Sequence, residues 1–254
     1  MQSDDKKKSA GWERLRFFWK RLKFVAVNLL TEPCVTVYMQ VDNEPHLRYE
    51  DGDGWLHHYQ YFTQPHPRYR LVGNKVLGVA MLAVPDDFAA YYESVNGKNS
   101  AAYYARKAKS RGYTIREIDR NDYVDDLIAI HDSKDLRQGK PLAPEFFKRK
   151  QYSVMPNYRY WGVLDTAGRL VAYAWVAYYN EVALVSGLMG HADHLNNGIM
   201  YYLMLHIIEH AAALKKQGHP LNYIMYDTFF GASSGMIMFK QKLAFQPYRV
   251  KWRP

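Results

Sequence analysis

The sequence predicts an α+β fold: a mixed central sheet with flanking helices. Three observations carry that expectation. From Tyr113 onward the apolar spacing switches between period two and helical period, in the order strand, helix, helix, three strands, helix, strand, helix, strand. The stretch Glu181 to Trp252 repeats strand and helix most clearly. Hydrophobic residues make up 48% of the 254, enough for a substantial core.

The stretch Glu181 to Trp252 organises the rest. Val182 to Met189 is an apolar run with a glycine break, followed by the polar turn His191 to Gly198. Ile199, Met200, Leu203, Met204, Ile207, Ile208, Ala211 and Leu214 then fall at helical spacing. Asn196 or Asn197 is suited to cap that helix and Gly218 to end it. The first N–H groups of a helix have no partner inside it, and its macrodipole adds positive character, so the turn before Ile199 reads as an anion site. Asn222 to Asp227 reads as a buried strand. Thr228 to Gly235 is a turn leading into a short helix with Met236, Phe239, Lys240 and Leu243, capped by Ser233 or Ser234. Phe245 to Trp252 reads as the last strand. Two adjacent strands, each followed by a helix N-terminus, make a crevice for an anionic or polar ligand.

Three segments are expected: a basic amphipathic helix over 1–32, a strand and helix subdomain over 33–112, and the main domain over 113–254. In the first, Trp12, Leu15, Phe18, Trp19, Leu22, Val25, Ala26 and Leu29 fall at helical spacing among arginines and lysines. Such a helix can lie in a membrane interface or pack on its own domain with snorkelled basic stems. Val35 to Val41, Trp55 to Phe62 and Lys75 to Val84 read as strands, with a turn at Asp51 to Gly54. Asp86-Asp87 opens a helix through Val95. A basic helix with Tyr103, Tyr104, Arg106, Lys107, Lys109 and Arg111 spans Ser100 to Arg111. Basic residues mixed with tyrosines bind RNA or form a solvated face. Tyr113 to Asp119 is a strand, Asp122 to Asp132 a helix with Val124, Leu127, Ile128 and His131 on one stripe, and Pro144 to Lys150 a second short helix. Arg159 to Leu164 and Leu170 to Tyr179 are strands.

Composition bounds the function. The net charge of +9 favours an anionic partner: a nucleotide cofactor, tRNA or an acidic membrane surface. Cys34, the single cysteine, excludes an internal disulfide framework and fits a reducing compartment. No uninterrupted apolar run is long enough to span a bilayer. A cytoplasmic location is expected, with a peripheral position at the inner membrane face open through residues 1–30.

The element order from Tyr113 to Trp252 resembles the GNAT-fold acyltransferases. The lead-in Phe88-Ala89-Ala90-Tyr91-Tyr92-Glu93-Ser94-Val95 with its basic helix, and the ending Ser234 to Pro247, are similar to the Fem-like branch. The resemblance implies a GNAT-like mixed sheet, with 33–112 open to reading as a degenerate second GNAT-like unit. It implies an N-acyltransferase that moves an acyl or aminoacyl group from CoA, acyl carrier protein or aminoacyl-tRNA to an amine. The donor is a co-substrate, and no tightly bound cofactor is expected. The superfamily's pyrophosphate loop, Gln/Arg-x-x-Gly-x-Gly/Ala, falls on Leu195-Asn196-Asn197-Gly198-Ile199-Met200, which lacks its first and last residues. A donor held less by its pyrophosphate, on tRNA or carrier protein, fits that departure better than acetyl-CoA.

Direct attack by a neutral amine needs orientation, proton removal and oxyanion stabilisation. Asp227 is the candidate base, Lys240 the candidate for stabilising negative charge, and Tyr226 the third candidate, although strand alternation turns only one of Tyr226 and Asp227 to the crevice. Donor-binding candidates are Leu188, Met189, Gly190, Asn196, Asn197, Gly198, Ile199 and Ser233. Substrate-binding candidates are Arg137, Gln138 and Lys140. Two other readings stand beside this one. His206-Ile207-Ile208-Glu209-His210 matches an H-x-x-E-H zinc hydrolase pattern on the helix's polar side, with His191 and His194 a weaker metal pair. The GNAT-like half also reads as an inactive scaffold that binds RNA or membrane. No metal site is assigned.

Overall fold

The computed structural model describes residues 19, 23, 27, 31–41, 54–67, 70–137 and 140–254. Its strands are β1 (Cys34–Tyr38), β2 (Val79–Ala83), β3 (Thr114–Glu117), β4 (Tyr158–Leu164), β5 (Leu170–Tyr179), β6 (Val182–Gly190), β7 (Tyr223–Thr228) and β8 (Gln246–Arg253). They form one sheet in the order β1-β8-β2-β7-β6-β5-β4-β3. The pairs β1–β8 and β6–β7 are parallel and the others antiparallel. The helices are α1 (Trp55–Thr63), α2 (Phe88–Ser94), α3 (Ala101–Ser110), α4 (Val124–Asp132), α5 (Ile199–Lys216) and α6 (Ser234–Lys242).

Each face of the sheet has its own core, as strand alternation requires. On one face Ala172, Ala174, Val176, Ala183, Val185 and Ile224 pack against α2, α3, α5 and α6. On the other, Tyr173, Ala177, Val182, Leu184 and Met225 pack against α1 and α4. Three helix starts are set by side chains: Asp87 accepts from Ala89 N, Ser100 from Tyr103 N and Ser233 from Met236 N.

Several expectations are corrected. Trp55 to Phe62 is helix, not strand. Trp55 and Phe62 are buried seven residues apart, two helical turns, and Tyr59 packs beside them. Alternation in so aromatic a segment was ambiguous. The strand expected over Lys75 to Val84 shrinks to β2, and the helix expected from Pro144 is a single 3-10 turn, Pro144–Phe147. A 3-10 turn, Arg120–Tyr123, precedes α4, whose buried stripe is Leu127, Ile130 and His131. The strands of 33–112 build no sheet of their own. β2 lies between β7 and β8 and completes the hydrogen bonding of both. In the N-terminal segment Trp19, Lys23, Val27 and Thr31 are helical and exposed. The rest of the expected amphipathic helix and residues 51–53 of the expected turn lie outside the described residues. Among the described residues no helix is long and apolar enough to cross a membrane.

The feature that positions the site is where β6 and β7 part. They pair only at Val182↔Tyr223, Ala183↔Ile224 and Leu184↔Met225. Each strand then carries a bulge on its outer side. Against β5, Trp175 pairs Gly187 and Val176 pairs Val185, which leaves Ser186 as the extra residue. Against β2, Val79 pairs Thr228 and Met81 pairs Met225, so Tyr226 and Asp227 together oppose Ala80. Asp227 takes φ +54 to do so. Bulges bend the strand that carries them, and here they turn two neighbours away from each other. The glycine break has a cause too: a Cβ on Gly187 would lie 2.0 Å from Trp175 Cη2. Gly187→Ala is therefore expected to cost about 2–3 kcal/mol by overpacking. Gly235→Ala, in the open first turn of α6, is expected to be neutral or stabilising by up to about 1 kcal/mol. Chemical denaturation of the two variants checks the contrast.

Candidate active site

Beyond Leu184 and Met225 the backbones of β6 and β7 face each other without ladder hydrogen bonds. Backbone groups freed inside a sheet need partners, so this gap is where the fold is prepared to take a ligand. Two buried side-chain atoms without a protein partner stand on or against the freed part of β6: Ser186 Oγ and Arg137 Nε.

The α5 side of the gap is aromatic and cationic. Lys240 is 1% exposed. Its ammonium donates to Thr228 O at 2.8 Å, at the end of β7, and sits 4.9 Å from the Tyr226 ring centre and 5.7 Å from that of Phe229. Burial pushes its pKa down to about 8, against the upward pull of Asp227, while Lys75 adds to the lowering. Burial also raises the Tyr226 phenol far above its usual range. Phe239 packs on Tyr201, and Tyr201 stacks on Tyr104 at 5.1 Å. Lys242 lies 4.7 Å from the Tyr104 ring centre.

Asp227 follows Tyr226 in the bulge, close enough to act on both Tyr226 and Lys240. It is 53% exposed and ion-paired with Lys75. An exposed pair of this kind contributes about 0–1 kcal/mol, so it can open at little cost. Lys75, 152 residues earlier in the chain, carries no sequence signal that links it to this site.

The helix-start candidates behave differently from expectation. Neither Asn196 nor Asn197 caps α5. Gly198 holds the cap position with φ +85 and no side-chain bond. Gly198 is buried, and a Cβ there would lie 2.2 Å from Tyr104 O. Lys107 donates to Asn196 O at 2.8 Å, Arg111 to Asn197 Oδ1, and Asn197 Nδ2 to Tyr113 Oη at 2.7 Å. The turn is thus closed over by α3, with an electronegative carbonyl against the positive end of α5. Ile199 is fully buried. Ser233 spends its hydroxyl on capping α6.

The other candidates gather at the end of β6. Leu188 and Met189 are half-buried and face opposite cores. Gly190 O accepts from Arg137 Nη1 at 3.2 Å, while Nη2 reaches Ser133 Oγ at 3.2 Å and Ile130 O. Burial lowers the Arg137 pKa, and no carboxylate is paired with it among the described residues. Nearby, buried His131 bridges Phe146 O at 2.7 Å and Tyr173 Oη at 2.6 Å. The Phe146 carbonyl requires Nδ1–H, so Tyr173 donates to Nε2. Lys140 is exposed, and Gln138 lies outside the described residues.

The zinc pattern does not sit on a polar face. His206 and His210 are half-buried with their rings 4.6 and 5.0 Å from that of Trp161, and burial lowers both pKa values. His206 Nδ1 is 3.9 Å from Glu209 Oε2. His194 Nδ1 bonds to Tyr113 Oη at 2.7 Å. Among the described residues no three His, Cys, Asp or Glu side chains group to hold a metal ion.

No protein-family model and no curated protein sequence matches the chain. Solved structures do. FemX aligns with a TM-score of 0.51 at 7% identity, over 67% of this chain and 59% of that one. The fold is similar to that of FemX. L-PGS from Bacillus licheniformis aligns at 0.43 and 16% identity, over 68% and 61%. A C-terminal domain ascribed to a lysylphosphatidylglycerol synthetase of Agrobacterium fabrum aligns at 0.42 and 13%, over 68% and 58%. The chain spans about three fifths of the length of these structures. Strands β7, β6, β5, β4 and β3 are successive neighbours in the sheet, and the gap lies between the first two of them.

Lys240 gives the site a stability signature. Its folded pKa of about 8 lies below the ordinary 10.5. The unfolded chain therefore binds more protons between those values, and wild-type stability rises with pH there. Relative to Lys240→Met, the wild type is expected to gain about 2–3 kcal/mol between pH 7 and pH 10. Denaturation midpoints of both proteins across that range check it.

Proposed function

We propose that the protein is an N-acyltransferase that moves an acyl or aminoacyl group from an activated ester or thioester to an amine. The observation that carries the reading is the parting of β6 and β7 above a buried, cationic Lys240. The donor's carbonyl lies in the gap, where freed strand N–H groups can bind it. The acceptor nitrogen attacks that carbonyl carbon, a C–N bond forms, and the C–O or C–S bond to the donor's carrier breaks. The amine proton leaves through Asp227 once its pair with Lys75 opens, and Lys240 stabilises the oxyanion. Tyr226 holds the ammonium in place with its ring face. Arg137, a guanidinium paired with no carboxylate among the described residues, holds an anionic group on the acceptor.

Closure of the α5 start by Tyr104, Lys107 and Arg111 supports a donor that does not depend on pyrophosphate binding at that turn: aminoacyl-tRNA or an acylated carrier protein in preference to acyl-CoA. The exposed cations of α3, Arg106 and Lys109, and the net charge of +9 suit either anionic carrier. The closed turn also favours a second reading, a GNAT-like scaffold without activity.

Binding measured with acyl-CoA, acyl carrier protein and charged tRNA separates these readings. Binding of a carrier-borne donor and transfer to an amine is expected; failure of all three donors to bind leaves the scaffold. Lys240→Met is expected to lower turnover about 10²- to 10³-fold with the fold intact. Because only the protonated lysine stabilises the oxyanion, the wild-type advantage over Lys240→Met should shrink as pH rises through about 8. A pH-independent ratio removes Lys240 from this role. Arg137→Ala is expected to raise KM for the acceptor more than it lowers kcat.

A further inference from the structure

A second cleft lies at the opposite end of the sheet from the crevice. It is formed by the end of β5, the C-terminal part of α5 and the turn before β7, and encloses about 470 Å³. That volume is in the range of small-molecule sites. Buried polar atoms almost always find partners in proteins. Among the described residues seven buried side-chain nitrogen or oxygen atoms have no protein partner. Four of them, Asn157 Nδ2, Tyr178 Oη, Trp161 Nε1 and His206 Nε2, belong to one neighbourhood. Tyr178 N donates to Asn157 O at 2.8 Å, the Tyr178 and His210 rings are 5.8 Å apart, and Trp161 packs on both His206 and His210. Trp161 is close enough to the Tyr178 hydroxyl to act on it. Asn157 and Tyr178 line the cleft itself.

The lining selects a ligand class. Arg159 and His219 are at the cleft, and no Asp or Glu is among the described residues that line it. Arg159 reaches Glu117 only at 3.4 Å across an exposed pair, so its guanidinium can turn to a ligand at little cost. Leu214 and Leu221 supply an apolar wall. We infer that this cleft binds a small carboxylate with an apolar body, its head on Asn157, Tyr178 and Arg159 and its body against Leu214 and Leu221. The inference is independent of the chemistry at the β6–β7 gap.

Calorimetric titration of the full chain with hexanoate tests it, with hexanamide and inorganic phosphate as comparison probes. Saturable binding of one hexanoate is expected. It should weaken about tenfold or more in Asn157→Leu and in Arg159→Gln, the loss of one or two polar contacts, and stay unchanged in Lys240→Met. Arg159→Gln changes an exposed side chain and keeps the test decisive where Asn157→Leu fails to fold. Absence of saturable binding overturns the inference, as does equal affinity for hexanamide or phosphate. Loss of binding in Lys240→Met also overturns it, because hexanoate would then be in the crevice.

Discussion

Two bulges, one on each side of a parallel strand pair, are the constraint on which the site depends. β6 and β7 stop pairing after three residues because Ser186 is surplus against β5 and Tyr226-Asp227 are surplus against β2. Forgoing ladder bonds is costly, since each buried backbone group left unpaired costs about 1–3 kcal/mol. The gap persists because its flanks are held from outside. The Trp175 ring covers Gly187, and Asp227 accepts a left-handed backbone that Asp tolerates better than most residues. A sheet that closed here would have to undo both contacts.

The same economy explains why the start of α5 is not an open anion site. A helix start carries unsatisfied N–H groups and positive character, and an external anion is one way to meet them. In this chain packing covers that turn instead. α3 packs so closely that the Tyr104 carbonyl lies where any Gly198 side chain would be, and Lys107 and Arg111 fasten the turn from the outside. In the proposed reaction, positioning therefore falls to the strands, Lys240 and Arg137 rather than to a phosphate cradle.

Much of the architecture was legible because local signals agreed with one another. Strand β5 and the start of α5 stand where alternation and helical spacing put them, and Asp87, Ser100 and Ser233 cap the helices they precede. Trp55–Thr63 was misread because only Trp55 and Phe62 are buried in it, and two aromatic residues do not fix a period. The parting of the strands was legible only as a glycine break and a turn. The bulges that cause it depend on register against β2 and β5, and β2 arrives from over a hundred residues away. Closure of α5 was hidden for the same reason: the tyrosines and cations of α3 are indistinguishable in sequence from a solvated basic face until α5 packs on them.

Lys240 is the residue hardest to explain as structure alone. It is fully enclosed, forms no ion pair among the described residues although Asp227 is near enough to act on it, and has a pKa displaced from 10.5 to about 8, a cost of about 3 kcal/mol at neutral pH. A methionine of similar length would fill the same space without that cost. One hydrogen bond to Thr228 O returns about 1.5–3 kcal/mol, and only because the lysine is charged. The balance is near zero at best, so stability gives no reason to keep a cation there. Under the proposed acyl transfer, a positive charge held at the end of β7, where β6 has turned away, does give one: it stands in place before the oxyanion forms.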